Sequence, residues 1–329
     1  MSTPMIVPES PAAPLRIGYE QESADALLAQ PDVLAIVGFG HVPEICADPR
    51  MLCVGLEPSP SDLLEVWRSA GVVTCGRADD VRWSTDGEHL FFAIEVDEAT
   101  HGGIVSATEY AYRHLSAFVA ASDTPHVLRL WNYLDAINLG AGDMERYRLF
   151  CDGRARGIQG FLQPPYPAAS AIGRQDGRRV LQVYGLAAAR PGTPIENPRQ
   201  VSAWRYPRQY GPTAPTFARG MLKAPSQLLI SGTAAVVGHA SRHGDDLAAQ
   251  LHETFANLDS LLREAGIATA QFDAASCLKI YLRDPANADL VVRALRAHSP
   301  ALGHVLVLAG DICRAELLVE IDGVHPSIA

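Results

Sequence analysis

No two of the six cysteines form a CxxC pair. They lie at 46, 53, 75, 151, 277 and 313, a scatter that excludes the paired-thiolate spacing of a structural zinc site. No run of 18 or more apolar residues is available to cross a membrane as a helix. The opening "MSTPMIVPESPAAPLRIGYE" has neither the basic start nor the apolar centre of a secretory signal; it reads as an arm or a strand laid over the surface. These absences predict a cytoplasmic protein with reduced thiols. Positive charge is scarce: 27 Lys and Arg against 37 Asp and Glu give a net charge of -10, which disfavours nucleic acid or an anionic membrane as partner. A local cluster of arginines can still override that field for a small anion. Cofactor fingerprints are incomplete. "VGFGHVPE" lacks the third glycine of a dinucleotide loop, and Pro43 stands where the phosphate-binding helix would begin. His239 and His243 in "HASRH" lack the glutamate of HExxH, and Ser231 in "LISGTA" is outside a GxSxG elbow. The expectation is no cofactor and no metal.

Apolar material, by contrast, is ample. The 329 residues are 48% hydrophobic, enough for one large domain or two of ordinary size. "VLAIVGFG", "MLCVGL" and "HLFFAIEVDE" read as buried strands. In "GGIVSATEYAYRHLSAFVAAS", Ile104, Ala107, Ala111, Leu115 and Phe118 repeat with a helical period, and "HVLRLWNYL" follows as a strand. The same order returns further on. "LLISGTAAVVG" is a strand; Leu247, Leu251, Phe255, Leu258 and Leu262 mark one helix face, with Asp245 and Asp246 at its start and Gly266 past its end. "CLKIYLRD" is a strand, "ANADLVVRALRAHS" a helix, and "HVLVLAGDI" and "ELLVEIDGV" close the unit as strands. This is a ββαβαββ-like order twice over, with a clean copy from about 225 to 329 and a divergent one before it. Between them lies "ARPGTPIENPRQVSAWRYPRQYGPTAPTFARG", too rich in proline for regular structure and too aromatic and basic for a passive linker.

Within "GDICRAELLVEIDGV", the run "ELLVEIDGV" carries three carboxylates, Glu316, Glu320 and Asp322. Strand alternation puts Leu317, Val319 and Ile321 on one face and the three acids with Leu318 on the other. An acidic strand face is ordinarily a solvent face. Here the two helices of the C-terminal unit can cover only one side of a sheet whose other strands are too hydrophobic for open water. That second face must pack on the first copy or on another subunit. Glu320 is then partly buried, where desolvation raises a carboxyl pKa and suits it to acid–base work.

"LLISGTAAVVGH", "LHETFANLDSLLREAG", "CLKIYLRD" and "GDICRAELLVEIDGV", in that order, resemble the YjgF/RidA fold. With "LRLWNYLDAIN", "ERYRLFCDGR" and "YPRQYGPTAPTFARG" the chain is similar over nearly its whole length to the chorismatases. The resemblance implies an α+β fold with helices on one face of a mixed, chorismate-mutase-like sheet. It also implies two divergent copies in one chain: residues 1–215 with the linker loop, and residues 216–329. It implies conversion of chorismate to 3-hydroxybenzoate and/or 4-hydroxybenzoate plus pyruvate, without metal or redox cofactor, in a monomer or homotrimer. Glu320 matches the family's catalytic glutamate. The substrate-binding positions map onto Tyr147, Arg154, Tyr206 and Arg219, with Arg148, Arg205 and Tyr210 as close rivals, because a guanidinium fork suits a carboxylate. Cys313 matches a pocket position that sorts products, and reaches Glu320's side only if the strand breaks between them. Trp131 and Asn132 read as structural. Two alternatives stand beside this: an enamine/imine deaminase of RidA type using Arg314, and a ligand-binding protein without activity.

Overall fold

A computed structural model of the chain describes residues 15–40, 47–60, 62–223, 227–267 and 271–326. Cys46, Pro43 and most of the proline-rich N-terminal stretch lie outside the described residues. Two seven-stranded sheets dominate. The first runs, in spatial order, Thr74–Ala78, Val81–Thr85, His89–Asp97, Val180–Ala188, His126–Asp135, Ala168–Arg174 and Asp311–Ile312. The second runs Thr193–Ile195, Gly220–Lys223, Gln227–Thr233, Val319–Pro326, Cys277–Leu282, Val305–Ala309 and Pro58–Ser59. The two orders correspond strand for strand, and in each the only parallel pair is the fifth with the sixth strand. The internal repeat expected from the sequence is therefore present. Each sheet takes its seventh strand from the other half of the chain. A third, four-stranded sheet holds Arg16–Glu20, Leu64–Arg68, Val33–Phe39 and Met51–Val54.

Helix Leu247–Glu264 begins at Asp246, whose carboxylate accepts from the Ala249 amide at 3.0 Å, and ends before Gly266 at φ +78. Leu251, Leu258 and Leu262 pack on Ile280, Val319 and Ile321 of the second sheet. Helices Ile104–Ala120 and Arg146–Gly157 cover the first sheet in the same way, with Ala107, Ala111, Leu115 and Phe150 against Phe92, Leu130 and Leu134. The two helices touch at glycines. A Cβ on Gly153 would fall 2.3 Å from the Val105 carbonyl, and one on Gly157 2.6 Å from the Tyr112 Cβ. Only glycine lets helix 146–157 lie that close.

The uncovered faces of all three sheets meet in one core that includes Trp67, Phe91, Trp131, Tyr133, Tyr184, Leu229 and Tyr281. The partner expected for the second sheet's inner face is thus the chain itself. A buried polar chain crosses this core. Lys279 Nζ lies 2.6 Å from Glu65 and 3.8 Å from Asp322, and Arg129 Nη2 lies 3.0 Å from Asp322. Three neutral donors also reach Asp322 Oδ2: Ser170 Oγ at 2.6 Å, Trp131 Nε1 at 3.1 Å and Tyr281 OH at 3.1 Å. Glu65 belongs to the small sheet, Lys279, Tyr281 and Asp322 to the second, and Arg129, Trp131 and Ser170 to the first.

Three elements differ from the reading of the sequence. "GDICRAELLVEIDGV" is not one strand: Asp311–Ile312 joins the first sheet, residues 313–318 turn, and Val319–Pro326 joins the second. Glu316 therefore leaves the acidic face and is exposed. "LLISGTAAVVG" likewise ends as a sheet strand at Thr233; Val236–Val237 pairs instead with Ala240–Ser241. The proline-rich segment is mostly irregular but contains strand Thr193–Ile195 and two short 3-10 turns, Ala203–Arg205 and Arg208–Tyr210. Among the described residues no helix is long and apolar enough to cross a membrane.

Candidate active site

A cavity of about 440 Å³ opens between the two large sheets. Strand Val319–Pro326 contributes Glu320 to its wall. The odd residues Val319 and Ile321 face the helices, so Glu320 and Asp322 face inward, as the alternation requires. Glu320 sits in the cavity wall at 5% exposure. Burial pushes its carboxyl up to about 8, with the nearby Asp322 carboxylate adding to the rise and Arg129, Arg219 and Arg314 opposing it. The turn at 313–318 supplies the break that returns Cys313 to the same side, and Cys313 lines the cavity. Burial and the neighbouring Glu320 raise its thiol well above the ordinary range, so it stays protonated.

Helix Arg146–Gly157 brings Tyr147 and Arg154 to one wall. Arg154 Nη1 donates to the Thr216 carbonyl at 2.7 Å, and the guanidinium lies 5.1 Å from the Tyr112 ring centre. Its buried Nε and Nη2 have no hydrogen-bond partner among the described residues. The irregular segment 196–219 forms the opposite wall. Arg219 Nη2 donates to Val201 O at 2.8 Å and to the Tyr206 hydroxyl at 2.6 Å, leaving its buried Nε unpartnered among the described residues. Arg314 stacks 4.0 Å from the Tyr210 ring centre and donates to His239 O at 2.9 Å and Ser241 Oγ at 3.0 Å.

All six residues singled out in the sequence, Glu320, Tyr147, Arg154, Tyr206, Arg219 and Cys313, line this one cavity. Of the rivals, Arg148 and Tyr210 also line it, whereas Arg205 does not. Trp131 is buried in the central core, while Asn132 reaches the cavity, its amide donating to the Ser170 carbonyl at 2.8 Å. Ser170, Thr216 and Gly232 are among the cavity residues that were not foreseen. Thr216 lies in "GPTAPTF", already marked as part of a functional loop. Ser170 and Gly232 carry no local signal, because what they do depends on partners far away in sequence. His239 and His243 form no metal cluster, and among the described residues no group of three potential ligands does.

A family model described as chorismatase FkbO/Hyg5-like, N-terminal, matches residues 65–187. A 3-hydroxybenzoate synthase from Streptomyces hygroscopicus is 34% identical over 287 residues, spanning 81% of this chain and 82% of that protein. A chorismatase from the same organism is 30% identical over 321 residues, spanning 93% and 92%. A crystal structure of a chorismatase superposes with a TM-score of 0.84 at 29% identity, covering 96% of this chain and 100% of that one.

Proposed function

The chain belongs to the chorismatase family, and from that membership we propose that it converts chorismate to a hydroxybenzoate and pyruvate in the cavity between its two large sheets. The observation that carries the assignment of the site is Glu320: a carboxyl buried at the cavity wall and raised to about 8, in a cavity that Arg154, Arg219 and Arg314 also line. Chorismate carries two carboxylates and an enol ether. The free N–H groups of Arg154 and Arg219 suit the carboxylates, since planar guanidinium forks give charge-assisted hydrogen bonds. Tyr147 and Tyr206 frame them from the helix and from the loop.

A neutral Glu320 donates its proton to the methylene carbon of the enol ether, which turns the departing side chain into pyruvate. The carboxylate left behind accepts the proton of the ring hydroxyl as that oxygen displaces the side chain. The ring then aromatises, and substrate and products have the same atoms, so no water is consumed. Cys313, a small protonated thiol beside the acid, occupies space that a competing water would need. Every group named comes from a single chain, so a monomer suffices for the chemistry.

The decisive assay incubates the protein with chorismate and follows pyruvate by coupling to lactate dehydrogenase. Glu320→Gln keeps size and hydrogen bonding but removes the titrating proton. Turnover should fall roughly 10²–10⁴-fold, the usual contribution of a placed acid–base group, with KM little changed. Pyruvate release near the wild-type rate would overturn the assignment.

A further inference from the structure

Strand Gln227–Thr233 does not pair evenly with strand Val319–Pro326. Ile230 faces Gly323 and Thr233 faces Ile321, so one strand advances three residues while its neighbour advances two. That is a β-bulge at Ser231–Gly232, a device that re-aims side chains and recurs beside active sites. The corresponding pairing in the first copy, His89–Asp97 with Val180–Ala188, runs without interruption. Of these two equivalent pairings, only the one that includes Glu320 is bulged.

At the bulge the Ser231 Oγ accepts from the amide of Ala169 in the first sheet at 2.9 Å and donates to Ala218 O at 2.5 Å. Gly232 is left facing Glu320. A Cβ on Gly232 would stand 1.9 Å from Glu320 Oε1, 2.7 Å from its Cδ and 3.2 Å from Ser170 Oγ. The volume of one methyl group at position 232 is therefore the volume the carboxyl occupies. Gly232 is not in the left-handed region of backbone space, so its backbone would accept alanine. The severe conflict is with the mobile end of the Glu320 side chain, which can swing away.

We propose that Gly232 is a positioning residue for Glu320: the bulge and the missing side chain together form the seat that holds the acid against the cavity wall. This rests on the reading of Glu320 as the acid. A double-mutant cycle tests it with wild type, Gly232→Ala, Glu320→Gln and the double variant, assayed for pyruvate release from chorismate. Gly232→Ala should lower kcat about 10²-fold, the loss that a displacement of about 1 Å can cause, with KM and the urea midpoint nearly unchanged. In the Glu320→Gln background the same change should cost little more, because the group through which it acts is gone. A full further loss in that background would overturn the inference. So would a raised KM with kcat kept, since alanine would then merely fill substrate space, or an unfolded variant, since only one side chain should have to move. Failure of the reading itself is scored separately, on whether Glu320→Gln alone loses activity.

Discussion

Glu320 and Asp322 are two carboxyls on one strand face, yet their surroundings differ. Asp322 is fully buried and accepts from Arg129, Ser170, Trp131 and Tyr281. Among the described residues no hydrogen bond of that kind reaches Glu320, and burial favours its protonated form. The pH dependence follows. In the proposed role Glu320 acts while protonated, so kcat/KM should be level below about pH 8 and fall above it. Asp322→Asn removes the second cause of the raised value and leaves Arg129 less neutralised, and both changes favour ionised Glu320. The alkaline fall should therefore begin at lower pH in this variant, read from pH–rate profiles of pyruvate release; an unmoved limb would count against the coupling. Stability carries the opposite mark of the same group. Ionised Glu320 is disfavoured in the fold, so wild type should lose stability relative to Glu320→Gln as pH rises from the ordinary carboxyl range through about 8.

At the scale of elements, the groups proposed to bind the substrate's carboxylates come from two unlike pieces. Helix Arg146–Gly157 is held against helix Ile104–Ala120 by its two glycines, which fixes Arg154 in the wall. The irregular segment 196–219 reaches across to supply Tyr206 and Arg219, and it is tied to that helix by the bond from Arg154 to Thr216. A helix and a loop joined this way can present two guanidinium groups to the two ends of a dicarboxylate. Arg154→Ala and Arg219→Ala should each weaken chorismate binding by about 2–5 kcal/mol, the loss expected when one partner of a desolvated charge pair is removed. Titration calorimetry measures this, with circular dichroism to show the fold intact. Unchanged affinity in both variants would mean that the carboxylates are held elsewhere, with Arg148 and Arg314 the remaining cavity arginines.

At the scale of the whole molecule, three sheets are tied through one buried charge chain, Glu65–Lys279–Asp322–Arg129. Lys279 is one of only two lysines in the sequence and is almost wholly buried. Burial opposes its charge, but Glu65 and Asp322 outweigh it and hold its pKa above the ordinary value. Lys279→Met should leave Glu65 buried without its cation and destabilise the protein by about 3–5 kcal/mol, read from urea unfolding. Lys279→Met with Glu65→Leu should regain most of that loss, because an apolar pair of similar volume replaces the buried ions. We propose that the chain holds two copies related by ancestry rather than two units that fold alone, with strand Thr193–Ile195, which precedes the expected boundary at 215/216, already in the sheet of the second. Pro58–Ser59 completes the sheet of the second copy, and Asp311–Ile312 completes that of the first.

Local pattern determined much of this. The helix periods and the caps at Asp246 and Gly266 follow from short-range physics and stand where they were expected; so does the repeated strand–helix order, except that Val33–Phe39 and Met51–Val54 belong to the small third sheet and not to the first copy. Parity on one strand was enough to pair Glu320 with Asp322 and to require a covering partner for their face. Local pattern could not find the strand ends at Thr233 and Ile312, because an apolar run continues past the point where its neighbour in the sheet stops pairing. Nor could it separate Arg154 and Arg219 from Arg205, since whether an arginine enters a cavity depends on an opposing wall far away in sequence. Gly232 shows the limit most sharply. Its glycine identity is plain in the sequence, but its consequence exists only because a bulge sets it against a carboxyl almost ninety residues away, and steric exclusion of that kind is decided by tertiary packing alone.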